Sequence, residues 1–318
     1  MNPHHAPDMS VIVVIPDRYE TIRKTMAHLQ AQTVKPRLEL VLVAPSAGAL
    51  EPHLSELAGF CRVQRVEIGK VTSIARAYAA GIRRAGAPIV VFTEDHSFPD
   101  PDWAEALIQA HRPARAAVGP AIRNGNPDSL VSWADFFIAY GKWAEPAAAG
   151  PVDHLPGHNS SYQRNILLKY APQLETMLEA ESVLHWDLRS KGYQLYLEPA
   201  AKTSHLNFAR LSSWIPVQFY AGRQFAATRA QNWSWLLRLI FTAGAPLIPL
   251  VRLWRIQKYV RRSIQSLPLL LSLMPVLLLG LTLDGLGQMM GYAFGIGNAL
   301  HKVAEYEFHR EQHLKPQI

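Results

Sequence analysis

Cysteine is almost absent from this chain: Cys61 stands alone among 318 residues. An internal disulfide framework and the multi-cysteine zinc sites are thereby excluded, and a reducing cytoplasm suits the sequence. A basic n-region is also missing from the opening MNPHHAPDMSVIVVIP. Its apolar run, Val11 to Ile15, stops at Pro16 and is too short for a signal peptide, so the N-terminal part is expected in the cytoplasm. No internal repeat or low-complexity run occurs. Acidic residues thin out toward the C-terminus: 233 to 318 hold nine Lys and Arg against four Asp and Glu, while 1 to 232 hold 23 against 21. The net charge of +7 is therefore mostly a C-terminal property.

What is present up to residue 232 is an alternation of strands and helices. SVIVVIP reads as a buried strand ended by Pro16. ETIRKTMAHLQAQ (20–32) carries Ile22, Met26 and Leu29 at helical spacing, and RLELVLVAP (37–45) is a second strand. RVQRVEI (62–68), VTSIARAYAAGIRRAG (71–86) and APIVVFTED (87–95) continue as strand, helix and strand. WAEPAAAGP (143–151) reads as a loop. Repeated βαβ units with apolar strands predict an α/β fold with a mostly parallel sheet flanked by helices. Ligands of such sheets bind at the carboxyl ends of the strands. Glu94, Asp95 and His96 stand at one of those ends.

The basic excess lies among apolar segments. WSWLLRLIFTAGAPLIPLV (233–251) precedes Arg252, Arg255, Lys258, Arg261 and Arg262, and SIQSLPLLLSLMPVLLLGLTL (263–283) follows them without a charge. The latter has the length of a bilayer-spanning helix. Nucleic-acid binding would set Lys and Arg among exposed aromatics on a polar surface; here apolar runs bracket them, so no nucleic-acid partner is expected. A membrane-surface patch facing anionic head groups is the better account. The positive-inside tendency then favours an interfacial or re-entrant first segment with 252–262 on the cytoplasmic face of the membrane.

Five stretches in order, SVIVVIP, HLQAQT, GKVTSIARAYAAGIRRAGAPIVVFTEDHSFPDPDW, GHNSSYQRNIL and LRSKGYQLYLEPAAKTSH, resemble the family-2 glycosyltransferases over about residues 10 to 210. The resemblance implies a GT-A fold and inverting transfer of a sugar from a nucleotide diphosphate sugar. The family's metal-binding Asp-x-Asp corresponds to Glu94-Asp95-His96. Glu94 and Asp95 are accordingly assigned to the nucleotide sugar, and Asp95, His96 and His205 to a divalent metal, Mn²⁺ or Mg²⁺. Oxygen ligands suit both ions, and imidazole suits Mn²⁺ better. Spacing from Gly192 in the family pattern assigns the general base to Glu181, with Glu179 in reserve. Either could instead be an ordinary helix-start acid.

The same resemblance places Gly157, His158 and Asn159 at the acceptor side, His158 being open between phosphate, acceptor and a simple loop cap. Trp186 is an acceptor platform or a core residue. Pro16, Asp17 and Lys70 are assigned to the nucleotide sugar. The family's acids after the second strand are replaced by Val43-Ala44-Pro45-Ser46, so the base contact falls to Asp17, Glu67 or backbone. The expected organisation is a GT-A-like transferase domain at 10–232, membrane-associated helices at 233–300 with a basic loop at 252–262, and a polar tail at 301–318. The expected acceptor is a lipid-linked saccharide or cell-envelope glycan. The alternative is a catalytically degraded scaffold that binds a nucleotide or glycan at the membrane.

Overall fold

The computed structural model describes residues 6–50, 56–179, 181–308 and 310–314. The chain forms two compact units: one comprises the residues up to Arg123 with Ala147–Ser204, the other Asn124–Pro146 with the residues from His205 onward. The strands are β1 (Met9–Val14), β2 (Leu38–Ala44), β3 (Arg62–Glu67), β4 (Ile89–Thr93), β5 (Ser97–Pro99), β6 (Arg115–Asn124), β7 (Gly150–Val152), β8 (Ser161–Gln163) and β9 (Gln194–His205). The α-helices are α1 (Arg23–Gln30), α2 (Ile74–Arg84), α3 (Trp103–Ala110), α4 (Leu130–Tyr140), α5 (Arg164–Leu167), α6 (Leu174–Glu179), α7 (Glu181–Ser190), α8 (Leu211–Arg229), α9 (Trp235–Gly244), α10 (Ile248–Ser263), α11 (Leu267–Phe294) and α12 (Ala299–Glu307).

In the first unit the strands lie in the order β3-β2-β1-β4-β8-β6-β9-β5, with β7 on β9. β1, β2, β3 and β4 pair in parallel. Every residue of β1 and β2 is buried, which is why these strands are apolar apart from the paired Ser10 and Glu39: helices cover both faces. Val11, Val13, Leu40 and Leu42 join Met26, Leu29, Trp103 and Leu107 in one core cluster, and burying each such side chain contributes roughly 1.5–3 kcal/mol. The opposite face carries α2, where a β-carbon on Gly81 would meet Ile12 Cγ2 at 2.5 Å.

The sheet flanked by helices is as expected, parallel through β3-β2-β1-β4, and antiparallel pairs are added beyond β4. β8 runs antiparallel to both β4 and β6, and β7 antiparallel to β9. Parallel pairing needs a crossover that returns the chain to the same end; the three-residue strands β7 and β8 are joined by a loop without one.

The second unit is helical. Ser129 caps α4 by accepting from Ser132 N at 3.0 Å, and α4 carries the buried Asp135. Its carboxylate accepts from Phe208 N at 3.0 Å, Trp214 Nε1 at 3.1 Å and Gln218 Nε2 at 2.9 Å. Arg310 Nη1 lies 3.9 Å from it, and both side chains are under 10% exposed. α8 and α11 pack closely: a β-carbon on Gly222 would lie 2.3 Å from Asp284 O, and one on Gly287 would lie 2.0 Å from Phe219 O. The boundary expected at 232 thus differs from the observed division at 123/124, 146/147 and 204/205.

The loop expected at 252–262 is a helix. Ile256 and Val260, four residues apart, are buried on its inner side, and Gln257 and Lys258 between them are good helix formers. The expected tail begins inside α12 and continues as a 3₁₀ turn, Arg310–His313; residues 309 and 315–318 lie outside the described residues. Trp235–Ser263 and Leu267–Phe294 are both long and apolar enough to cross a membrane.

Candidate functional site

Because β1, β2 and β4 are parallel and in register, Val13 opposite Thr93 and Val14 opposite Val43, their carboxyl ends share one edge of the sheet. Pro16 and Asp17 leave β1 there, and Glu94-Asp95-His96 leaves β4 there. The three side chains of the triplet have distinct roles. His96 is 3% exposed and Glu94 16%. Asp95 Oδ1 meets His96 Nδ1 at 2.5 Å, which turns the ring so that Nε2 faces Glu94 Oε2 at 3.3 Å. A carboxylate on one ring nitrogen is the usual way to orient a metal-binding imidazole. Asp95, assigned above as a metal ligand, makes this contact with the imidazole of His96. Glu94 and His96 offer the ligand atoms, an oxygen and an imidazole nitrogen, a donor pair that fits Mn²⁺.

Loop 156–160 holds this turn in shape. Asn159 is in the left-handed region at φ 56° and fully buried, a conformation asparagine tolerates better than most residues. Its backbone N–H donates to Phe92 O at 2.6 Å, and its Oδ1 accepts from Thr93 Oγ1 at 3.0 Å. Its Nδ2 donates to Ser97 Oγ and to His158 Nδ1. Asn159 thus clamps the residues on either side of the triplet. Both ends of its amide have partners within the protein. His158, 6% exposed, lies with Nδ1 3.6 Å from Glu94 Oε2, on the triplet side of the loop.

The preceding residue faces the candidate base. A β-carbon on Gly157 would lie 2.5 Å from Glu181 Cδ and Oε1, so only glycine lets the loop lie against that carboxylate. Glu181 opens α7. Burial pushes its carboxyl above the usual glutamate value, partly offset by its own backbone N–H. Burial, and then the Glu181 charge, push the phenol of Tyr162 well above its ordinary value. Tyr162 OH in turn meets His185 Nε2 at 2.9 Å, one turn along α7 from Glu181. The His185 pairing was not anticipated from sequence, although the four-residue spacing of Glu181 and His185 on one helix face was its signal. Glu179, the reserve candidate, ends α6; burial and Glu175 raise its carboxyl.

The remaining candidates stand on several elements. Trp186 is partly buried on α7, its Nε1 donating to His154 Nε2 at 3.1 Å. Asp17 is exposed and accepts from Arg18 N at 2.7 Å; Lys70 is exposed after β3. His205 closes β9 and belongs to the second unit, where its Nδ1 meets Asn207 Oδ1 at 3.0 Å and its Nε2 meets Tyr140 OH at 3.2 Å.

Comparison with known proteins adds a family and a set of folds. The model of glycosyl transferase family 2 matches residues 10–170. No curated protein sequence matches the chain significantly. Among solved structures, the mannosyltransferase PcManGT from Pyrobaculum calidifontis in complex with GDP-Man and Mn²⁺ is similar at 16% identity and TM-score 0.50, over 98% of this chain and 89% of that one. S. aureus TarS 1-349 in complex with UDP is similar at 17% identity and TM-score 0.46, over 70% and 65%. GalNAc-T7 with UDP, GalNAc and Mn²⁺ follows at 12% and 0.49, over 62% and 43%. The chain therefore spans less than half of the GalNAc-T7 chain. At these identities the likeness is one of fold.

Proposed function

Because the chain belongs to glycosyl transferase family 2, we propose that it moves a sugar, with inversion, from a nucleotide diphosphate sugar to a hydroxyl acceptor. The observation that carries this reading is the convergence of two chemistries on consecutive residues: His158 beside Glu94 of the triplet, and Gly157 against Glu181. Glu94 and His96 would hold a divalent ion, Mn²⁺ or Mg²⁺, with Asp95 fixing the imidazole. His205 keeps the ligand role that the sequence resemblance gives it. A cation bound there supplies Lewis-acid neutralisation of the diphosphate. Glu181 accepts the proton of the acceptor hydroxyl as its oxygen forms the new bond to the anomeric carbon. The bond from that carbon to the diphosphate oxygen breaks, and its electron pair leaves with the nucleoside diphosphate. The raised affinity of Glu181 for a proton suits it to this step.

Asp17, Pro16 and Lys70 border the same sheet edge and are proposed for the nucleotide, with Trp186 toward the acceptor. The two long apolar helices and the basic face of α10 support attachment at the cytoplasmic face of a membrane, with a lipid-linked saccharide or cell-envelope glycan as acceptor. Release of nucleoside diphosphate across a panel of donors, with Mn²⁺ and Mg²⁺ tried separately, tests the reading. Neither turnover nor metal-dependent nucleotide binding with any donor would sink it and leave the scaffold alternative.

A further inference from the structure

The outward face of α9 and α10 changes character along one line. Trp235, Leu239, Ile240, Leu247, Leu250 and Trp254 are each 56–75% exposed, and they mark an apolar stripe that runs from α9 through the 3₁₀ turn Ala245–Leu247 into α10. That stripe is about 29 Å long at 1.5 Å per residue, with a tryptophan at each end, where its amphipathic ring suits a head-group boundary. It then continues as cations: Arg255, Lys258 and Arg261 are all exposed.

The inward face is tied to polar structure. Arg252 pairs with Asp284 and donates to Ile138 O, Arg262 donates to Ala144 O at 2.7 Å, and Ser263 donates to Glu145 O at 3.1 Å. One side of α11 is covered by α8 through Gly222 and Gly287, while Leu267, Leu271, Leu278, Leu279, Leu286 and Phe294 are 42–72% exposed, and α8 packs against α12. α12 presents His301, Lys302 and Glu305 to solvent. A hairpin that crossed a bilayer would draw this charged cover into hydrocarbon or be stripped from it, and either is costly.

We propose that the second unit inserts this one stripe into a single leaflet of an anionic bilayer, and that neither α10 nor α11 crosses the membrane. The proposal deepens the membrane attachment proposed above and rests on it. The apolar length provides burial, and the contiguous cations select phosphate-rich anionic lipid over neutral lipid.

The test uses the full chain, purified in detergent and mixed with preformed vesicles of phosphatidylcholine, with or without a quarter phosphatidylglycerol. Flotation is expected with anionic vesicles, weakening as salt rises. The triple variant Arg255→Gln, Lys258→Gln, Arg261→Gln should lose roughly a hundredfold in affinity, about fivefold per cation removed near the surface. Leu239→Ser with Leu250→Ser should abolish flotation; all these positions are exposed, so circular dichroism should be unchanged. In a Cys61→Ser background, Ser266→Cys and Asn298→Cys mark the two ends of α11. Both should react with a membrane-impermeant maleimide in intact vesicles. Protection of either until detergent is added would overturn the proposal, as would equal flotation with neutral vesicles, no flotation, or tight binding to an oligonucleotide in place of lipid. These readouts do not involve turnover, so nucleoside diphosphate release by the same preparation separates a failure here from a failure of the glycosyl-transfer reading.

Discussion

Gly157 lies so close to Glu181 that a single added methyl group would stand 2.5 Å from the carboxylate carbon. The obstructing atoms are the end of a side chain rather than backbone, so the fold can yield while the carboxylate cannot stay in place. Gly157→Ala should therefore keep its melting temperature within a few degrees of the parent while kcat falls at least about tenfold, on the scale that misplacement of a catalytic group produces. Comparing thermal unfolding with donor turnover checks it. A large loss of stability with normal activity in the folded fraction would contradict it.

Glu181→Gln removes the proposed proton acceptor, and kcat should fall by about 10² to 10⁴. In the parent, the group must be ionised to act. Its carboxyl is raised above 4.5 by burial, so the acid limb of the rate profile should titrate above that value and vanish in the variant. Stability has the opposite sign. Below 4.5 both states are protonated; as pH rises toward the raised value the unfolded chain ionises first and the fold loses stability. Glu181→Gln should thus be neutral or stabilising by about 1 kcal/mol near neutral pH, measured by urea denaturation.

His96 and Asp95 separate by metal affinity. His96→Ala should weaken Mn²⁺ binding, and Asp95→Asn, which loosens the ring without deleting it, should cost about 10- to 100-fold. His96→Asp restores an oxygen ligand and should bind Mg²⁺ better than the parent does. Calorimetric titration of each variant with the two ions reads this directly. Indifference to all three changes would remove the ion from the site.

Asp135 is the acid to change in the helical unit. Burial pushes its carboxyl up to about 6 against the opposing pull of Arg310, so its contribution to stability declines as pH rises from about 4 to 6, where the unfolded chain ionises first. Asp135→Ala leaves the buried donors of Phe208, Trp214 and Gln218 without their acceptor and should cost about 3–5 kcal/mol. Asp135→Asn should recover part of that and flatten the pH dependence. Urea denaturation between pH 4 and about 8 follows both effects.

The parts of this fold that sequence could show are those with local causes. β1, β2 and β4 are apolar because both faces are covered, and α2 repeats every three or four residues; each pattern is visible in a dozen letters. β7 and β8 are three residues long, and their partners lie far along the chain, so no local period betrays them. α10 was hidden for a different reason: its outward cations dominate the reading, while the inward pair Ile256 and Val260 is only two residues. At the site, Glu94, His96 and Glu181 were visible as residue types at family positions. The tasks of Asp95 and Asn159 were not, because they depend on where a side chain points after the backbone turns, and for Asn159 on a positive φ.

The adjacency of Gly157 and His158 also bears on how such an enzyme can be altered. One peptide unit, about 3.8 Å between α-carbons, sets the spacing between the contact with Glu181 and the contact with Glu94. An insertion or deletion there would change both contacts at once.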